Sequence, residues 1–211
     1  MRDRRTITNR RGLLAAGAAL ASIPVLSRWT APPRPGVRGM HQDGEAWFTN
    51  TRLRTHEGRT VRFYDDLLRG KVVLINFVFT GCSDICPGVT QNLAYVQRLL
   101  GEQMGRDVFM YSLSLDPEND TPQRLAEYAR TFDAGPGWLF LTGRKPGLEL
   151  LRERLGFKDS DPVRDADPTE HIGTVRIGNE PLHRWIMAAA LADPAAIARA
   201  VRHVAPDWAR R

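Results

Sequence analysis

The chain has 211 residues, 42% of them hydrophobic and 26% charged, with two cysteines and a formal net charge of +6. That length suits one domain with extensions, and so ordinary a composition excludes fibrous, disordered and disulfide-stapled classes. Residues 1–40 hold eight arginines and one aspartate, net +7, which leaves the remainder net −1. The basicity belongs to the leader, so no nucleic-acid partner is expected.

Within that leader, Asn9-Arg10-Arg11-Gly12-Leu13-Leu14 has the form of a twin-arginine export signal, and Leu13 to Leu26 makes a small apolar stretch. The stretch is short for a transmembrane helix. Ser22-Ile23-Pro24 interrupts a clean Ala-x-Ala cleavage site, so both removal near Ala21 or Ala31 and retention as a membrane anchor stay open. Pro32, Pro33 and Pro35 mark an extended linker. The reading is a signal and Pro-rich linker over 1–40, a folded domain over 41–211, and export to a periplasmic or other extracytoplasmic side, where disulfides persist.

Leu53 to His56 and Thr60 to Tyr64 predict a β-hairpin around Glu57-Gly58-Arg59, and Asp65 to Arg69 a short helical turn. Val72 to Phe79 is an almost unbroken apolar run, the pattern of a strand buried on both faces of a sheet. It stops at Thr80-Gly81, and Cys82-Ser83-Asp84-Ile85-Cys86-Pro87 follows. Pro87 suits the first helical position, which would make Cys86 the N-cap, and Val89, Leu93, Val96 and Leu100 give the helix one apolar face. Asp107 to Leu115 predicts a second strand. Asp116 to Thr121 forms a loop, and Pro122 opens a helix with Leu125, Tyr128, Ala129 and Phe132 inward. Trp138 to Leu141 is a third strand, and Pro146 begins a helix carrying Leu148, Leu151 and Leu155. Residues 157–170 read as an acidic surface loop. His171 to Ile177 and Leu182 to Met187 predict an antiparallel pair around Gly178-Asn179-Glu180-Pro181, and Asp193-Pro194 starts a last helix. The order predicts an α/β, thioredoxin-like fold: a central mixed sheet flanked by helices, after an N-terminal β-hairpin.

Both cysteines therefore fall at the carboxyl end of a central strand, against a helix N-terminus whose dipole and N–H groups favour thiolate over thiol. Spaced i and i+4, they share one helix face at about 6 Å, within reach of a disulfide or a shared metal. A structural staple across so small a loop would stabilise little, and the accessible, electropositive position argues against it. A redox pair and a metal site remain. Two thiolates plus an imidazole make a soft set suited to Cu(I) and able to hold Cu(II), whereas zinc usually takes four ligands. Of the five histidines, His171 stands out because it opens a predicted core strand directly after the acidic loop. His41, His56, His183 and His203 read as bland.

The stretch Asn76 to Pro87 resembles the signature of the SCO/SenC family, thioredoxin-like copper proteins with a Cys-x-x-x-Cys-Pro motif, and Ser114 to Pro122 resembles that family's next segment. The resemblance covers roughly 42–205. In the family a single distant histidine completes the copper site, a place that His171, 85 residues after Cys86, takes here. The resemblance implies copper, as Cu(I) or Cu(II), held by Cys82, Cys86 and His171, with Asp84 and Asp116 as candidates to support the ligands. It implies a copper-enzyme client, a cytochrome c oxidase subunit with a dinuclear copper site, to which the protein delivers copper. The alternative is a thiol–disulfide reductase that keeps the client's cysteines reduced, with Cys82 and Cys86 as its catalytic pair. The spacing departs from the Cys-x-x-Cys of general oxidoreductases. Phe79 stands where a peroxidase wants proline. The twin-arginine-type leader and the Gly178 to Trp185 segment depart from the family pattern and leave room for another exported copper enzyme as client.

Overall fold

The computed structural model describes residues 47–166 and 173–205. The leader, its linker and His171 lie outside the described residues. Seven strands form one mixed sheet in the order β2-β1-β5-β4-β3-β6-β7. They are β1 (Arg52–Thr55), β2 (Thr60–Arg62), β3 (Val72–Val78), β4 (Val108–Ser114), β5 (Trp138–Gly143), β6 (Thr174–Asn179) and β7 (Arg184–Ala189). The helices are α1 (Ile85–Leu100), α2 (Pro122–Thr131), α3 (Lys145–Arg154), α4 (Pro162–Ala166) and α5 (Pro194–Val204), with a single π-helical turn over Phe63–Leu68.

Every residue of β3 is buried, as its apolar run predicts, because both faces of the sheet are covered. Val72, Leu74 and Val78 pack with residues of α1, α2 and α5, while Val73, Ile75 and Phe77 pack with the π-turn and α3. Such a strand cannot slip by one residue, because either register change exchanges two filled cores. β3 pairs in parallel with β4, and β4 with β5, whereas β1, β2, β6 and β7 add antiparallel edges. The register sets Val78 opposite Ser114, so the chain leaves both strands side by side. The carboxyl ends of neighbouring parallel strands are where open α/β sheets place their sites.

Two boundaries near the ends of β3 and β6 differ from the sequence reading. Helix α1 starts at Ile85 with Asp84 as N-cap, so Pro87 is its third residue and Cys86 lies inside the first turn. Proline is tolerated there because the N–H groups of the first turn have no partner within the helix. Gly178 and Asn179 continue β6 rather than turning. A Cβ on Gly178 would stand 2.1 Å from the Trp185 ring, so only glycine admits that cross-strand neighbour. The turn is instead held by Glu180, whose buried carboxylate accepts from the Tyr64 hydroxyl (2.8 Å) and the Gly70 amide (2.7 Å).

The acidic segment is also more than a surface loop. Arg152 of α3, with its side chain 6% exposed, donates to both carboxylate oxygens of Asp165 at 2.7 Å and to Glu149 at 2.8 Å. Asp165 further accepts from the Asp159 amide (2.7 Å), so one buried guanidinium pins α4 and its approach to the domain. Arg152→Met takes the cation from a buried pair, which costs about 3–5 kcal/mol and, for a domain of this size, about 10 °C of Tm. Thermal unfolding checks it, and an Arg152→Met/Asp165→Asn double variant is expected to unfold above the sum of the single losses. An unchanged Tm in Arg152→Met would remove the pair from the stability of the fold.

Candidate metal and thiol site

β3 ends, and Thr80-Gly81 carries the chain around to Cys82. The Cys82 amide closes this turn onto the Phe79 carbonyl at 3.2 Å. Cys82 and Cys86 are both free thiols, 8% and 0% exposed. The expected accessible pair is thus a covered one, part of the core cluster that also holds Val78, Val89, Leu125 and Ala190 and against which Phe79 and Ile85 pack. The Cys86 amide donates to the Cys82 sulfur at 3.4 Å, so the sulfur does the work of an N-cap while the Asp84 side chain makes no cap bond.

This geometry makes the two thiols unequal. Burial pushes Cys82 up, but the amides of Asp84, Ile85 and Cys86 and the Cys86 thiol all point at its sulfur and together hold its pKa below the ordinary thiol value. Burial pushes Cys86 up to about 12, further aided by the neighbouring Cys82 and by Asp120, against one opposing bond from the Phe79 backbone. Of the two, Cys82 is therefore the readier to give up its proton, and the Cys86 thiol donates to its sulfur. Stabilised thiolates at helix N-termini are the nucleophiles and metal ligands of such sites.

Of the two supporting candidates, Asp84 contributes through its backbone, its side chain being exposed. Asp116 accepts from the Asn119 side chain at 2.8 Å and its amide donates to Ser114 Oγ at 3.0 Å, which is turn chemistry. Asp116 also lines a cleft together with Phe79, Leu115, Lys158, Asp159 and Asp165. The third expected ligand, His171, lies outside the described residues. Among the described residues, no group of three or more His, Cys, Asp or Glu is placed to hold a metal.

Sequence reasoning missed the polar frame around the pair. Asp120 is 1% exposed and accepts from the Thr80 amide (3.0 Å), the Thr80 hydroxyl (2.6 Å) and the Ser114 hydroxyl (2.6 Å). The Thr90 hydroxyl donates to the Cys86 carbonyl at 2.8 Å and lies 3.1 Å from the Tyr128 hydroxyl. The one available signal was position: Asp120 stands in the loop after a core strand, directly before a helix cap.

The sheet order and the two thiols at a strand-to-helix turn define a thioredoxin-like protein of the Cys-x-x-x-Cys type. A family model described as SCO1/SenC matches residues 41–174, and the chain belongs to this family, as the motifs led us to expect. The SCO1 protein homolog of Bacillus subtilis is 36% identical over 92 residues, 43% of this chain and 46% of that protein, so the match spans less than half of either. Among solved structures, Bradyrhizobium japonicum ScoI with copper bound is similar at TM-score 0.58 and 25% identity, over 73% of this chain and 96% of that one. BsSco, a member of the Sco family of cytochrome c oxidase assembly proteins, has the same fold at TM-score 0.60 and 24% identity, over 74% and 92% of the two chains.

Proposed function

We propose that this chain is an exported copper-binding protein, a metallochaperone that holds one copper through Cys82, Cys86 and His171. Its client is the copper site of cytochrome c oxidase or of a related exported copper enzyme. The observation that carries this is the pair of vicinal free thiols at a helix N-terminus, in a chain of the SCO1/SenC family. Two sulfurs in an apolar, buried setting fit a soft ion, and their burial would keep water and oxidant away from it. Copper here is cargo, so the site has to load and release it. Cys82 ionises more readily than an ordinary thiol, whereas Cys86, held at about 12, would surrender its proton only as the metal arrives. The copper-bound relative supports the choice of ion.

The segment that leads to His171 bears on the third ligand. Asp159 and Asp165 line one cleft with Phe79 and Asp116, and in sequence His171 follows Asp165 by six residues and Cys86 by 85. For export, the support is the Arg10-Arg11 leader, and the family match opens at residue 41, where the sequence reading begins the domain. Among the described residues no helix is long and apolar enough to cross a membrane.

An anaerobic copper(I) titration of the reduced and the disulfide-oxidised chain tests the reading. One equivalent is expected for the reduced form and none for the oxidised, since both thiolates are consumed by the bridge. Stoichiometric copper on the oxidised chain would place the metal elsewhere. A second reading, a reductase acting on a client's copper-site cysteines, is favoured by the inequality of the thiols. A stabilised Cys82 suits attack on a disulfide, and a protonated Cys86 suits later resolution.

A further inference from the structure

We propose that Asp120 is the positioning residue of the thiol pair: its carboxylate straps the turn leaving β3 onto the end of β4 and so fixes where both sulfurs sit. One oxygen takes the amide and the hydroxyl of Thr80, two residues before Cys82, and the other takes the hydroxyl of Ser114. Ser114 Oγ in turn accepts from the Asp116 amide, so the strap continues into the loop after β4. Both sulfurs depend on what Thr80 anchors. The Cys82 amide is bonded to the Phe79 carbonyl, and the Phe79 backbone is bonded to the Cys86 sulfur.

Among the described residues the Asp120 carboxylate is the side chain that ties this turn to β4; the other bond closing it is the Cys82 amide to the Phe79 carbonyl. Gly81 sits between Thr80 and Cys82, and a Cβ there would meet only Phe79 ring atoms at 3.8 and 4.0 Å, so the chain has both room and torsional freedom. A carboxylate costs much to bury unless donors surround it, and charge-assisted bonds are roughly twice as strong as neutral ones. Asp120 meets that condition with three donors and no cation among the described residues. A closing bond for a surface turn needs no such group. A site that must return its ligands to one geometry after each release gains from one buried side chain that bonds both strand ends at once.

The proposal rests on the copper reading for one of its two readouts, and the experiment separates the failures. Asp120→Ala, Asp120→Asn and Ser114→Ala are made in the full chain. Each is measured for copper(I) affinity by chelator competition, for the Cys82–Cys86 disulfide equilibrium against glutathione, and for Tm. Asn keeps an oxygen for Thr80 and offers an N–H to the Ser114 hydroxyl, so it preserves the strap without the charge. Asp120→Ala is expected to weaken copper binding about 10–100-fold at unchanged stoichiometry, the usual loss when a ligand's support is removed, and to shift the disulfide equilibrium. Ser114→Ala should give a smaller loss of the same kind, and Asp120→Asn should restore most of both properties. A lower Tm with wild-type affinity and disulfide equilibrium in Asp120→Ala would make the residue a fold stabiliser and overturn the proposal. So would Asp120→Asn as impaired as Asp120→Ala, because charge rather than placement would then be at issue. Failure of the wild-type chain itself to bind copper would overturn the copper reading alone, and the disulfide equilibrium would still judge Asp120.

Discussion

Copper(I) affinity of the reduced chain is expected to fall by more than about a hundredfold when either Cys82 or Cys86 becomes serine, because loss of a ligand exceeds the 10–100-fold cost of losing a ligand's support. Both variants should remain folded. At Cys82 a serine oxygen can accept the Cys86 amide as an ordinary helix cap does. At Cys86 the buried hydroxyl would meet the Phe79 backbone that now meets the sulfur. What serine cannot supply is a soft, ionisable donor, so the loss should appear in copper affinity rather than in Tm. His171→Ala is expected to weaken copper binding greatly while the Cys82–Cys86 disulfide still forms and breaks, since that chemistry needs only the sulfurs. Chelator competition under anaerobic conditions measures all three. Wild-type affinity in His171→Ala would take the histidine out of the site, and wild-type affinity in the serine variants would take the metal off the thiols.

The elements that were legible in the sequence are those whose side chains report their surroundings directly. The Val72–Val78 run could only be a strand covered on both faces, and Thr121-Pro122 could only begin a helix; the Thr121 hydroxyl does accept from the Arg124 amide, at 3.3 Å. The two cysteines and their place at a strand-to-helix turn followed from those same neighbours. What stayed hidden depends on partners far along the chain. The start of α1 moved from Pro87 to Ile85 because a sulfur at Cys82, rather than a conventional capping side chain, meets the first turn. The β6–β7 turn moved because Gly178 makes room for the Trp185 ring, and Glu180 is held by Tyr64 and Gly70, more than a hundred residues earlier. Asp120, Asp116 and Asp165 look alike as letters in acidic loops. Only the register of β3 against β4, and the reach of Arg152, give one of them the thiol turn and another a buried guanidinium.

Alkylation of the reduced chain at pH 7 should go to Cys82 over Cys86 by about a hundredfold or more. A thiol at about 12 has a thiolate fraction several thousand times below that of an ordinary one near 8.5. The greater nucleophilicity of the more basic sulfur returns only part of this, because reactivity rises with less than half the pKa difference. Exposure points the same way, with Cys82 at 8% and Cys86 at 0%. The pH dependence has a definite sign. Cys82 is held below the ordinary thiol value, so its alkylation rate should fall as pH drops through a midpoint lower than that of a free thiol. The two thiols also pull stability in opposite directions. The lowered Cys82 stabilises the folded reduced state above the ordinary thiol value, and this is lost as pH falls through its folded pKa. The raised Cys86 stays protonated in the fold while the unfolded chain ionises, so its share of stability declines as pH rises above about 8.5. Mass mapping of a timed iodoacetamide reaction across pH 5 to 10 reads the first claim. Equal labelling of the two sulfurs, or a midpoint above that of a free thiol, would remove the inequality on which both copper loading and disulfide attack at Cys82 depend.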